Sequence, residues 1–371
     1  MTRGVLTWLA ASAAILSGLT PLAAHHAVAA KFDSAKKVTL RGPVTSIDWA
    51  NPHAHVFVSV AEPGGGRANW AIELESPVDL RRQGWTRDAL HVGEVVTVEG
   101  IAARDGSKQA WSLSIVVART GQRVLFARPV APPIATNKPT PRWPDGQPRL
   151  GAGPGETGYW ASPSATTLVE RGVAVQADAN GLLTNVADAA RVAPFQDWAR
   201  DLYIYRQRAL LKDDPMFLNC LPPGGPRLFQ NRYGVQFLEH RDRQRIFMMM
   251  GGGNRNWRLI YTDGREQKGQ VQGDADNPLY FGRAVGRWEG ETLVVDTKGF
   301  NERFWFSNGG LPHTEQLHLV ERFGRPDFDT LRYDVTIEDP GAYTRKWSTE
   351  WTLRWVAGED MPEYFCQDNR P

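Results

Sequence analysis

Thirty-five residues in the middle of the chain set the strongest limit on its fold. From Pro129 to Pro163 there are nine prolines and five glycines (PVAPPIATNKPTPRWPDGQPRLGAGPGETGYWASP). Proline fixes φ and lacks an N–H, so a helix interior or a central strand does not run through such a stretch. No hydrophobic period survives it, and it predicts a semi-extended linker over 129–165. The 371 residues are thereby divided into 25–128 and 166–371, each long enough to bury its own core.

The N-terminus reads as an address. Arg3 precedes an uncharged run, VLTWLAASAAILSGL (5–19), followed by Pro21 and the small residues Ala23 and Ala24. That is the layout of a secretory signal peptide, and the run is shorter than the roughly 20 residues of a membrane span. Cleavage after Ala24 is expected, with the bond after Ala29 as the alternative. No later stretch is long and apolar enough to span, so a periplasmic or secreted protein is expected.

The two cysteines, Cys220 and Cys366, are the only ones in the chain. In an exported protein an even pair reads as a disulfide rather than a metal site. The alternative is two buried thiols that never meet.

Both halves are patterned for strands. In the first, Val38–Trp49, Ala54–Val60 and Asn69–Glu75 have strand character, with Val56, Val58 and Val60 alternating. A helix over Ser76–Gln83 follows, Ser76 suiting the N-cap and Pro77 the first turn. Glu94–Ile101, Ala110–Val117 and Arg123–Phe126 complete the set. This order predicts a small OB-like barrel, with a generic β-sandwich as the alternative.

In the second half, Asp188–Leu211 is the best helical window, with Phe195, Trp198, Leu202 and Tyr205 proposed as its packing face. About nine strands follow: Leu228–Glu239, Arg245–Met250, Arg258–Thr262, Arg283–Trp288, Thr292–Thr297, Gln316–Phe323, Thr330–Glu338, Thr349–Trp355 and Pro362–Cys366. The expected fold class is therefore mainly β: an OB-like barrel, then a larger antiparallel calycin-like β-barrel or curved sheet with one or two helices.

Composition excludes as much as it proposes. Forty-three basic against 41 acidic side chains give no basic excess for nucleic acid. Fourteen Trp and 15 Phe exclude disorder over most of the chain. There is no P-loop, no GxGxxG after a strand, no HExxH, no GxSxG and no CxxC. Met248–Met250 read as strand, alternating between faces, and not as a copper-thioether site.

Two sets of motifs carry a resemblance. Ala24-His25-His26, Phe32-Asp33, Val38-Thr39-Leu40-Arg41-Gly42, Trp49-Ala50-Asn51-Pro52-His53 and Gly84-Trp85-Thr86 resemble a bacterial exported domain of unknown function over about residues 24–126. Ala27 stands where that family usually has Ser. Cys220-Leu221-Pro222, Gly286-Arg287-Trp288-Glu289-Gly290, Leu293–Thr297, Pro312-His313, Glu321-Arg322-Phe323, Asp339-Pro340 and Glu363–Cys366 resemble a second uncharacterised exported family. Lys346-Trp347 replaces its usual Pro-Trp. These resemblances imply export and carry no activity.

Two groups of residues could do chemistry. His25, His26, His53 and His55 gather half of the eight histidines in the first 55 residues. If His25 becomes the mature N-terminus, its amine and ring can chelate Cu(II), with His53 or His55 closing the site and Asp33 or Asp48 orienting a ring. The alternative is a turn at Asn51-Pro52-His53 and a frayed terminus. In the second half the polar set is Asp263, Arg265, Asp296, Asn301, His313, Glu315 and Arg322. His313, with Asp296 or Glu315 and with Arg322 nearby, would serve as a general acid/base; the alternative is a network that fixes the loop.

Three functions stand open: binding of a small, partly apolar molecule in the periplasm, an acid/base enzyme built on His313, and a copper-binding protein. Ligand identity lies beyond the sequence.

Overall fold

The structure, a computed structural model, describes residues 26–126, 136–161, 168–178, 181–230, 232–252, 257–266 and 277–366. The expected signal peptide and His25 lie outside them. Among the described residues no helix is long and apolar enough to cross a membrane.

After the short α1 (His26–Lys31), the N-terminal unit runs β1 (Phe32–Asp48), β2 (His55–Ala61), β3 (Arg67–Glu73), α2 (Pro77–Arg82), β4 (Val95–Ala103), β5 (Gln109–Val117) and β6 (Arg123–Val124). The sheet order is β3-β2-β1-β4-β5-β6, and β3 pairs with β5 as well, in parallel. Inward residues alternate as the pleat requires: Val56 and Val58, Val96 and Val98, Ile115 and Val117 are all buried in one cluster. Gly42 lets β1 bend across its neighbour, since a Cβ there would lie 1.8 Å from the Ser59 carbonyl oxygen. α2 starts as its sequence predicts: the Ser76 hydroxyl accepts the Asp79 N–H, Pro77 fills the first turn, and Ser76 donates in return to the Asp79 carboxylate at 2.7 Å.

The second unit is a closed nine-stranded barrel. Its strands are β7 (Gly158–Ala161), β8 (Val235–His240), β9 (Arg245–Met250), β10 (Trp257–Tyr261), β11 (Arg283–Glu289), β12 (Thr292–Lys298), β13 (His318–Gly324), β14 (Thr330–Glu338) and β15 (Trp347–Ala357). They close in the order β10-β11-β12-β13-β14-β15-β7-β8-β9, antiparallel throughout except for β10–β11. Met248 and Met250 face the core and Met249 does not.

Four expectations need correction. The Pro/Gly-rich stretch is not a spacer throughout: its residues 158–161 are β7, where the Trp160 ring meets Trp355 edge to face at 4.9 Å. Gly158 makes room for that packing, because a Cβ would press into the Trp355 ring. Upstream, Arg325 donates to the carbonyls of Arg149 and Gly151, fastening the stretch to the barrel.

The helical window splits into a 3-10 turn (Val186–Arg191) and α3 (Asp197–Arg208). α3 buries Ala199, Tyr203 and Gln207, one residue out of phase with the expected face, leaving Trp198 and Tyr205 exposed. Leu228 does not open a strand: Gly225–Gln230 is a fully buried 3-10 segment that follows α4 (Pro215–Asn219). Pro362–Cys366 forms no strand either; the disulfide holds it instead.

Candidate functional site

In the N-terminal unit the cis Asn51-Pro52 turn delivers His53 beneath β3. His53 Nδ1 makes a very close hydrogen bond with Glu73 Oε1, and both side chains are buried. His55 Nε2 lies 3.8 Å and Lys31 Nζ 2.9 Å from the other carboxylate oxygen. Burial works to raise the Glu73 carboxyl, but His53, then His55 and Lys31, outweigh it and hold it well below the usual range. Glu73 thus takes the part expected of Asp33 or Asp48, and Asp33 faces Arg104 at 3.6 Å. Among the described residues no group of three or more His, Cys, Asp and Glu side chains is arranged to hold a metal ion.

The second polar set is not brought together. His313 is buried against the rings of Phe304 and Phe306 at 4.2 and 6.0 Å. Its Nε2 lies 3.1 Å from the Phe304 carbonyl and its Nδ1 3.3 Å from that of Thr314. Burial pushes its pKa down to about 4, so the ring is neutral at ordinary pH and ties the loop.

Asp296 is on the outer face of β12, 3.0 Å from His318 Nε2. Burial raises its carboxyl, but His318 overcomes this and leaves the pKa lowered. Glu315 is exposed, its N–H donating to Glu302, and Arg322 donates to Glu289 outside the barrel. Asp263 and Arg265 pair with one another in a turn. Asn301 accepts the Arg303 N–H in its own loop.

Two charged clusters carry no sequence motif. Inside the barrel the Arg258 guanidinium donates to both Glu321 oxygens and to Thr297, while the Tyr333 hydroxyl donates to Glu321 at 3.0 Å. The rings of Phe229, Phe237, Phe323 and Tyr333 pack on one another in the same interior, with centroids 4.3 to 5.7 Å apart. A period-2 reading of HLVERF marks Glu321, not Arg322, as the charge on the apolar face with Leu319 and Phe323.

The other cluster joins the units. Arg232, after the 3-10 segment, donates to Glu75 at 3.2 Å and to Asp79 at 2.8 Å. Arg82 donates to the Arg232 carbonyl, Tyr233 to that of Pro52, and Asn51 to that of Glu363. Val78, Tyr233, Tyr364 and the Cys220–Cys366 disulfide form a small buried core there. No sequence spacing announces a contact made 153 residues apart.

Beside this joint lies a cleft of about 350 Å³. Val78, Arg81 and Arg82 of α2 line one side, Tyr159 of β7 and the tail residues Glu359, Asp360 and Pro362 the rest. Cations and carboxylates thus share a cleft that also offers apolar surface. The cysteines, read from sequence as a bridge, fasten the tail that supplies three of its lining residues.

Residues 13–112 match the model of a family of unknown function (DUF6152). The match takes in the N-terminal unit as far as β5, including His53, His55 and Glu73, and stops short of the barrel. No curated protein matches the chain.

Proposed function

We propose that the protein is an exported, disulfide-bonded binding protein that holds a small, partly apolar molecule between its two units. The cleft beside the joint carries this reading. Its volume suits a small ligand, and Arg81 and Arg82 can take an anionic group while Glu359 and Asp360 take a donor or cation. Val78, Tyr159 and Pro362 supply apolar surface between them. The calycin-like barrel is then scaffold rather than container, since Phe229 and its neighbours occupy its centre. The N-terminal unit is read as OB-like: a three-stranded meander, a helix, then two strands, with β3 and β5 in parallel. Export rests on the N-terminal sequence pattern and accords with the disulfide.

Native mass spectrometry of the oxidised protein taken from the periplasm tests both halves of the reading. A mature chain beginning at His25 with a bound organic mass is expected, and Arg81→Ala with Asp360→Ala should release that mass. A ligand retained by this double variant would move the site elsewhere. Bound copper lost with His53→Ala would favour the metal reading instead.

A further inference from the structure

The outer wall of the barrel changes character around its circumference. On β11 to β15 it is charged: Arg287 and Arg322 meet Glu289, His318 meets Asp296 and Glu338, and Arg171 meets Asp334. Antiparallel sheets with one face in water normally look like this. On β8 to β10 most of the outward positions are apolar, Gln236 being a polar exception. Leu238 pairs across to Phe247 and Phe247 to Leu259, while Met249 pairs with Trp257. Leu238 is 48% and Trp257 39% exposed, and Phe247 lies against Trp257 at 6.1 Å. These residues do not serve the core, which takes Phe237, Ile246, Met248, Met250 and Ile260 from the same strands.

One end of this wall carries a cluster of arginines. The turn between β8 and β9 reads His240-Arg241-Asp242-Arg243-Gln244-Arg245. Arg245 stands over the Tyr261 ring at 5.3 Å and Arg265 at 3.7 Å; Arg149 and Arg241 flank the Trp143 ring at 3.5 and 5.1 Å. Five arginines here share the end with Asp145, Asp242, Asp263 and Glu266 and with the half-buried Glu239, which accepts from Trp143. Asp145 is held by Arg241 and Asp263 by Arg265. Among the described residues neither Arg243 nor Arg245 is in an ion pair. The sequence of zones along the strands is therefore apolar wall, aromatic border, arginine tip.

We propose that this face docks on an anionic lipid surface. An apolar wall enters the headgroup–acyl boundary, aromatic rings with a polar edge sit at that boundary, and arginines meet lipid phosphates. A protein partner would need its carboxylates along one edge only, whereas a bilayer supplies that layering without design. The proposal is independent of the cleft and of what fills it.

Co-sedimentation of the full oxidised chain with phosphatidylglycerol-containing and with pure phosphatidylcholine vesicles tests it. Binding to the anionic vesicles, weakening as salt rises, is expected. Each surface arginine near such a membrane is worth about fivefold in binding, so Arg243→Gln with Arg245→Gln should lower the partition coefficient about 25-fold. Leu238→Ser with Trp257→Ser, two exposed positions, should also lower it with the circular dichroism spectrum unchanged. Equal sedimentation with both vesicle types, or none with either, overturns the proposal. So does a concentration-dependent dimer in sedimentation velocity that Leu238→Lys dissolves, because the wall would then belong to a second copy.

Discussion

Two of the buried arginine–carboxylate clusters among the described residues are built differently. Inside the barrel, Arg258 faces one carboxylate, and Thr297 and Tyr333 fill out the hydrogen bonding around it. Between the units, Arg232 faces two carboxylates from one short segment, Glu75 and Asp79. Arg232, with the Ser76 hydroxyl and Arg82 adding to it, holds Asp79 below the ordinary carboxylate range against its burial. It does not hold both: burial, with the neighbouring Asp79 adding to it, leaves Glu75 raised to about 8. A charge balanced within one unit behaves as a fixed part of the core. A charge shared across a joint leaves one partner protonated and able to respond to pH.

The interior pair should show the largest effect. Glu321→Ala leaves the Arg258 guanidinium buried without its counter-charge, and breaking one side of such a pair costs about 3–5 kcal/mol. Equilibrium denaturation in guanidinium chloride should show the loss for the barrel. The pair as a whole need not add stability: Arg258→Met with Glu321→Leu should recover most of the loss, because the replacement removes both desolvation costs. A double variant as unstable as Glu321→Ala would show that the pair specifies the barrel centre beyond its charge.

The disulfide should come next, and at the joint. Replacing Cys220 and Cys366 by Ala removes a link worth about 2–4 kcal/mol. The barrel closes without the tail, since β15 ends at Ala357. Hydrogen exchange should therefore rise first over residues 359–366 and α2, with β12 to β14 protected as before. Uniform loss of protection would mean that the joint and the barrel unfold as one.

The difference between the clusters also explains what was legible in the sequence. Period-2 patterning located most strands because each reports its own burial, and Ser76-Pro77 located α2 because a cap is a local event. β7 hid inside the proline-rich stretch: four residues with a glycine carry no period, and only the Trp160–Trp355 contact makes them a strand. α3 was misphased because the rule that large residues go inside ranks Trp198 above Ala199. Close packing there takes the small residue and lets Trp198 donate from outside to the Gly341 carbonyl. His53 was visible as a candidate but Glu73 was not, because their pairing depends on the turn at Pro52 and on β2–β3 register. The joint was the least legible, every contact in it being long-range.

The smallest effect near pH 4, and the sharpest test of the comparison, is Glu75→Gln. The Glu75 carboxyl has an unfolded pKa near 4.3 and a folded one raised to about 8. Between those values the folded protein keeps a proton that the unfolded chain has shed. Stability from this group is therefore fully present below about pH 4.3 and is lost as pH rises toward 8. Asp79, with its lowered folded pKa, acts in the opposite sense and only in acid, where its contribution is lost as pH falls. The two windows do not overlap. Near pH 4, where the Glu75 carboxyl is largely protonated in both states, the amide and the carboxyl present similar groups to Arg232, so the variant should match the parent within about 0.5 kcal/mol, the usual span of a change that removes no interaction. Above that the unfolded parent sheds a proton that the folded parent keeps, so the variant should become steadily the more stable as pH rises to about 8. Glu239 and Asp339 are also raised by burial, but they are common to both proteins and cancel in the difference. Denaturation midpoints of the two proteins measured from pH 4 to 8 would separate progressively. Parallel curves over that range would mean that Arg232 balances both of its carboxylates after all, and that the joint is as fixed as the barrel centre.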